Sequence, residues 1–184
     1  MLIEMKNISE LMIDLAYSSL IYNNREIAEE VKYLEEKIDE TYYRIQEEAI
    51  RQAVEEGNVS KALVIIRLAT SIEAISDSAV QIADVVLRDI EPHPVIKESI
   101  KESDVTITLG KVSERSVLAN KTLGELNLAS ETGMWVIAIK RKGRWIFGPT
   151  ENTVVLPGDI LIAKGPLEGV KHFKNLCSGR DRTI

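Results

Sequence analysis

A proline-containing stretch near the middle of the 184-residue chain, Glu91-Pro92-His93-Pro94, separates two halves whose apolar residues repeat with different periods. Over Lys6–Ile90 the apolar residues recur every three or four positions, which is the spacing of an amphipathic helix. From Val105 onward they alternate in short runs, which predicts β-strands. Proline cannot continue a helix and it restricts the residue before it, so the stretch is the predicted boundary. We therefore predict an α+β chain, with an all-α domain over residues 1–91 and a small α+β domain over residues 95–178.

The first half contains the patterns of three long helices. The first runs from about Ile8 to Tyr22, the second from about Arg25 to Glu56, and the third from about Asn58 to Ile90. Gly57 suits the left-handed position that closes a helix, and Asn58 or Ser60 can cap the next one. The third helix has the most regular apolar stripe, formed by Ile65, Leu68, Ile72, Ile75, Ala79, Ile82 and Val86. Such a stripe predicts lengthwise packing in a helical bundle.

The second half reads as a small sheet with helices. Short strands are predicted at Val105–Leu109, Trp135–Ile139, Trp145–Phe147, Thr153–Val155 and Ile160–Ala163. A loop and a short helix are expected in Ser116–Leu126, and a final helix at about Pro166–Leu176. Arg141-Lys142-Gly143-Arg144 has the composition of a hairpin turn.

Composition excludes several classes of protein. A net charge of −6 argues against a general nucleic-acid binder, which would need a basic stripe, so we expect no nucleic-acid partner. The single cysteine, Cys177, excludes an internal disulfide and fits a reducing compartment. No apolar run approaches the roughly 20 residues of a membrane span, and acidic residues interrupt the apolar N-terminus. We therefore expect a cytoplasmic location.

The arrangements that would indicate catalysis are missing from the sequence. His93 and His172 are far apart and have no metal-ligand spacing, and no serine lies in a GxSxG motif. Neither GxGxxG nor GxxxxGK[ST] occurs, so no nucleotide-binding Rossmann half is present. We expect that the protein is not an enzyme.

The second half resembles the TrkA-C (RCK C-terminal) domain from about Thr106 to Leu176. The resemblance rests on Asn120-Lys121-Thr122-Leu123-Gly124-Glu125-Leu126, on Val136–Ile139 and on Leu156-Pro157-Gly158-Asp159-Ile160-Leu161. Asn120 stands where the family usually has glycine. The resemblance implies a regulatory domain of potassium or other cation transport that dimerises and in some members binds cyclic di-AMP at the dimer seam.

The same resemblance implies ligand contacts beside the loop before the second long strand. The candidate ligand-binding residues are Thr132, Gly133, Met134, Trp135 and Pro149. The effector would be a cyclic dinucleotide, a nucleotide or a cation. Because Glu131 lies in this loop and would repel phosphate, a cation or a neutral ligand is expected to bind better than cyclic di-AMP. Arg141, Lys142 and Arg144 form a compact basic cluster, for which a solvated turn is favoured over an anion site.

The first half, from about Met5 to Ile90, resembles a single PhoU-type three-helix repeat. Glu35 and Asp39 on the second helix, and Glu73 and Asp77 on the third, both form E-x-x-x-D. In PhoU proteins such acids on neighbouring helices collect iron or zinc, and carboxylates on facing helices suit divalent cations. The alternative is that both pairs are solvated flanks of the bundle with basic neighbours.

Three classes of function follow from these observations. The combined resemblance favours a dimeric or higher oligomeric regulatory subunit, which senses a ligand for a membrane cation transporter or channel. The alternative is a PhoU-like protein of metal binding or phosphate signalling. The third class, an enzyme, has no supporting arrangement of residues.

Overall fold

The computed structural model describes residues 1–91, 94, 95, 98 and 105–183, and at residue 105 the backbone alone. The chain divides into two compact units, residues 1–97 and 98–184. The first unit is a bundle of three helices and the second combines a small sheet with helices, which confirms the predicted α+β class. Among the described residues no helix is both long enough and apolar enough to span a membrane.

The N-terminal unit consists of α1 (Leu2–Tyr22), α2 (Arg25–Glu56) and α3 (Val59–Leu87). Local signals set the two connections, since Asn23 and Gly57 adopt left-handed conformations at the ends of α1 and α2. The side chains of Asn24 and Asn58 cap the following helices. Two tight connections make neighbouring helices antiparallel, and all three pack against one another.

The buried face of α3 differs from the predicted stripe. Leu68 and Ile75 are 50% and 45% exposed, whereas small residues are buried at intervals of seven: Ala62, Ala69, Ser76 and Ala83. Small side chains allow α1 and α2 to approach α3 closely, so tertiary packing selects a face that hydrophobicity alone does not mark. The prediction that Leu68 and Ile75 belong to the bundle seam is wrong. The helix ends at Leu87, and Pro92 and His93 of the predicted boundary lie outside the described residues.

The C-terminal unit contains a four-stranded antiparallel sheet in the order β1-β6-β3-β4. Its strands are β1 (Val105–Lys111), β3 (Trp135–Arg141), β4 (Arg144–Phe147) and β6 (Ile160–Pro166). A two-stranded ladder joins β2 (Lys121–Thr122) to β5 (Val154–Val155). Over residues 105–183 the unit also contains three helices: α4 (Leu123–Leu126), α5 (Leu128–Thr132) and α6 (Leu167–Ser178).

Helix α6 packs on the sheet and closes the core of this unit. Phe173 and Cys177 of α6 lie against Gly110 of β1, where an added Cβ would be 2.5 Å from the Cys177 sulfur. The core includes Leu118, Leu126, Met134, Ile139, Leu161, Phe173 and Leu176. The glycine at 110 is therefore required by the close approach of the helix to the strand.

Candidate functional site

A groove of about 260 Å³ opens on the C-terminal unit, between α4 and α5, the start of β3 and the loop that joins β4 to β5. Its wall is mostly apolar, and its lining residues include Leu123, Asn127, Met134, Trp135, Pro149 and Glu151. Ligand sites are commonly about 300–1,000 Å³ and carry a few polar groups on apolar walls. The volume of the groove in one chain is therefore slightly below that range.

Two features of the sequence bring the groove walls together. Thr122 and Glu125 form a capping box that starts α4, with the Thr122 backbone N–H donating to the Glu125 carboxylate at 2.8 Å. The backbone N–H of Gly124 donates to the Glu151 carbonyl at 2.8 Å. A Cβ at residue 124 would lie 3.1 Å from that carbonyl oxygen, so glycine allows the loop to close against α4.

Three of the five residues predicted to bind a ligand line the groove, namely Met134, Trp135 and Pro149. Of these, Met134 is fully buried, whereas Trp135 is 59% exposed. An indole held by a strand and open to solvent provides a flat surface on which a ring or an organic cation can stack.

The other two predicted residues, Thr132 and Gly133, shape the turn into β3 and do not line the groove. The Thr132 hydroxyl donates to the Leu128 carbonyl at 2.7 Å and accepts from the Met134 backbone N–H at 3.1 Å. Gly133 has a φ of 72°, and a Cβ there would be 2.9 Å from the Pro166 ring. Both residues orient β3, and through it Trp135.

The charge of the groove is acidic. Glu151 is the charged residue among those that line it, and no lysine, arginine or histidine lies in that lining. Asn127 adds a polar side chain, although its carbonyl oxygen already accepts from the Ser130 hydroxyl at 3.0 Å. The site therefore suits a neutral or cationic ligand better than one that depends on phosphate contacts.

The predicted basic cluster is a hairpin turn with one internal ion pair. The Arg141 guanidinium donates to both carboxylate oxygens of Asp159, at 2.9 and 2.7 Å, and Asp159 is 1% exposed. These hydrogen bonds raise the pKa of Arg141. Lys142 and Gly143 have positive φ at the turn between β3 and β4. The guanidinium of Arg141 is thus engaged in holding β3 to β6.

The helical unit brings the two acidic pairs close enough to interact. Burial raises the pKa of Glu35, and the nearby charges of Asp39 and Asp77 raise it further. Burial likewise raises the pKa of Glu73, with contributions from Asp77 and Asp39. Across the described residues, however, no three His, Cys, Asp or Glu side chains converge closely enough to hold a metal ion. That the four acids bind metal weakly or not at all stays a prediction.

The sequence did not identify the opposite wall of the groove, in particular Asn127 and Glu151. Asn127 has a φ of 45° between α4 and α5, and an Asn between two apolar turns is a weak signal for such a position. Glu151 reaches the groove because the β4–β5 loop folds back on Gly124, which is a tertiary contact with no local signature.

Comparison with known protein families matches each half of the chain to a different domain. Residues 2–86 match the PhoU domain, and residues 111–178 match the TrkA-C domain. Among curated proteins, 83 residues are 26% identical to "Probable potassium channel protein 2" of Methanocaldococcus jannaschii. That match covers 45% of this chain and 24% of the relative, so the chain spans about a quarter of the length of that protein.

Solved structures of RCK C-terminal domains are also similar to part of the chain. The RCK_C domain dimer of S. agalactiae BusR in complex with c-di-AMP is 30% identical, with a TM-score of 0.37, over 38% of this chain and 92% of that one. The RCK C domain of the potassium transport protein KtrA in complex with c-di-AMP is 27% identical, with a TM-score of 0.37, over 44% of this chain and 93% of that one.

Proposed function

We propose that this chain, a PhoU domain joined to a TrkA-C domain, is a regulatory module of potassium or other cation transport and binds a small effector in the groove beside Trp135. The two domains and the potassium-channel relative support a regulatory role linked to potassium transport. The observation that carries the ligand-binding part is the exposed indole at the edge of an apolar groove inside the TrkA-C domain.

The chemistry of the groove favours some classes of effector over others. Trp135 supplies a stacking surface, Met134 an apolar contact and Glu151 a negative charge. A nucleobase-like ring or an organic cation satisfies all three groups, whereas a phosphate has no basic partner among the residues that line the groove. We therefore propose a neutral or cationic effector and rank it above cyclic di-AMP.

Regulation would follow from differential binding. An effector that binds one arrangement of the protein more tightly shifts the balance between arrangements, by no more than its difference in affinity. The module would transmit that shift to a membrane transporter on the cytoplasmic side, acting as a homodimer or higher oligomer and without catalysis. Light scattering at micromolar concentration should then give at least twice the 20.6 kDa chain mass.

A thermal-shift screen tests the effector site. Cyclic dinucleotides, adenine nucleotides, free nucleosides and cations are each added while tryptophan fluorescence is recorded. A ligand at a hundred times its dissociation constant adds about 2.7 kcal/mol to the free energy of unfolding. It should also change the emission of Trp135, which is the exposed member of the two tryptophans.

Two variants test separately the roles of the Trp135 indole and of the Glu151 charge. Trp135→Phe should keep the fold and lose most of the ligand-dependent fluorescence, because Trp145 lies on β4 and is absent from the groove lining. Glu151→Gln should weaken a cation and leave a neutral ligand unchanged. A stabilisation by cyclic di-AMP alone would contradict the ranking of ligands, and no stabilisation by any ligand would contradict the effector site itself.

A further inference from the structure

Helix α3 carries a second heptad-spaced row of residues that points away from the buried seam. Val64, Leu68, Ser71, Ile75, Ser78 and Ile82 follow one another at steps of four and three, and we call them the outer row. This is the spacing with which a helix packs lengthwise against another helix. The seam inside the bundle uses a different set of positions, exemplified by Ala62, Ala69, Ser76 and Ala83. The helix thus carries heptad-spaced rows on two faces, and the bundle buries one of them.

Most of the outer row is exposed to solvent, and only Ile82 is half-buried. Val64 is 58% exposed, Leu68 50% and Ile75 45%. An exposed helix face normally carries charged side chains. On the side away from the seam, the outer row is flanked by Arg67, Ala74 and Gln81, of which only Arg67 is charged. The acids of α3 in this span, Glu73 and Asp77, instead interact with the acids of α2.

The hydroxyl groups of the two serines in the outer row already donate hydrogen bonds within α3. The Ser71 hydroxyl donates to the Arg67 carbonyl at 3.0 Å, and the Ser78 hydroxyl donates to the Ala74 carbonyl at 2.8 Å. A buried hydroxyl without a partner destabilises a protein, but these two donors are satisfied within their own helix. The outer row can therefore be covered by another apolar surface without leaving a donor unpaired.

We propose that the outer row is an interface with a second copy of this chain, in which the two α3 helices pack antiparallel about a two-fold axis. In an antiparallel heptad pairing, the facing residues have numbers that add to a constant. With a sum of 146, Leu68 faces the other copy's residue 78, Ile75 faces its residue 71, and Ile82 faces its residue 64. Every large side chain then meets a serine or a valine.

The order of residues argues for this partner and this direction. A parallel pairing would place Ser71 against its own equivalent and Ile75 against its own equivalent, so voids would alternate with crowding. The antiparallel pairing instead interleaves large and small residues, and it is self-complementary, as a two-fold interface requires.

Charge is compatible with self-association at this face. The Arg67 side chain of one copy lies level with residue 79 of the other, so the two arginines are separated by 12 residues of rise, about 18 Å along the helix. That is about twice the screening length at physiological salt, so the two charges repel little. This interface needs no ligand in the groove, so the test of the interface is independent of the test of the effector site.

A spin-label distance measured on the full-length protein tests the arrangement. A nitroxide is attached to a Gln81→Cys variant; Cys177 is 1% exposed, and unmutated protein reports any labelling there. In the proposed register residue 81 lies level with residue 65 of the other copy, so the two labels are separated by 16 residues of rise, about 24 Å along the axis. We expect a distance peak near this value at micromolar protein.

Charged substitutions provide the matched pair of variants. Leu68→Glu with Ile75→Glu places four carboxylates in the interface of the dimer and should abolish the peak. Val54→Glu on α2, where the side chain is 80% exposed, should leave it in place. Far-UV circular dichroism verifies that each variant keeps its helices. The inference is overturned by the absence of a peak in the labelled protein, by a separation under about 15 Å as in a parallel pair, or by a peak that survives the double substitution.

Discussion

Replacing Asp159 by alanine removes a buried carboxylate that accepts three hydrogen bonds, two from Arg141 and one from the Leu156 backbone N–H. The carboxylate is 1% exposed and the Arg141 side chain 26% exposed, so one partner of the ion pair is buried and the other partly screened. Removing one partner of a buried pair costs about 3–5 kcal/mol, because the remaining charge has no counterion. Since Arg141 retains some access to water, we expect about 3 kcal/mol for Asp159→Ala.

The location of the tryptophans makes this cost measurable in one unit of the chain. Trp135 and Trp145 both lie in the C-terminal unit, whereas most of the helical circular dichroism comes from α1, α2 and α3. A small domain unfolds in urea with a slope of about 1 kcal/mol per M. The fluorescence transition of Asp159→Ala should therefore move to lower urea by about 3 M, while the circular dichroism transition of the helices moves much less.

The control is Arg144→Ala, which removes an exposed cation from the same hairpin and should change stability by less than about 0.5 kcal/mol. If Asp159→Ala shifts the fluorescence midpoint no more than Arg144→Ala does, the ion pair does not hold β3 to β6. If both signals shift together, the two units unfold as one and the assignment of the cost to the C-terminal unit fails.

Four further predictions concern single positions. Glu73→Gln should stabilise the helical unit at pH 7 by a few tenths of a kcal/mol, because it removes a like charge one turn from Asp77. The folded-state pKa of Glu73 is raised, so the ionised carboxylate destabilises the folded protein more as pH rises through that pKa. In thermal melts the stabilisation by Glu73→Gln should therefore vanish in acid. Burial raises the pKa of Cys177 to about 12, so at pH 8 only about one thiol in 10,000 is ionised, and a thiol reagent should react with it only after denaturation. Gly169→Ala, normally favourable in a helix, should lower the melting temperature, since a Cβ there would be 2.1 Å from the Thr132 carbonyl oxygen. Elemental analysis of protein purified without chelator should find no stoichiometric iron or zinc, and metal that disappears in Asp77→Ala would contradict this and favour the PhoU-like alternative.

Most element types could be predicted from local signals. Asn24, Gly57 and Asn58 mark helix ends through backbone conformation and capping, which depend on residues a few positions apart. The Lys142-Gly143 turn is equally local, because both residues take positive φ in a tight hairpin. Helix α1 begins at Leu2, earlier than the predicted Ile8, since apolar residues such as Met5 continue the buried face.

Tertiary structure decided which apolar residues are buried and where the groove lies. On α3 the apolar pattern predicts that large residues are buried, yet the bundle buries Ala69 and Ser76 and leaves Leu68 and Ile75 exposed. The reason is that close packing of helices favours small side chains at the contact. Trp135 and Pro149 were predicted at the site from a family resemblance, whereas Glu151 joins them only through the contact between Gly124 and the β4–β5 loop. Periodicity records which faces are apolar, but the partner of each face is set by contacts between residues far apart in the chain.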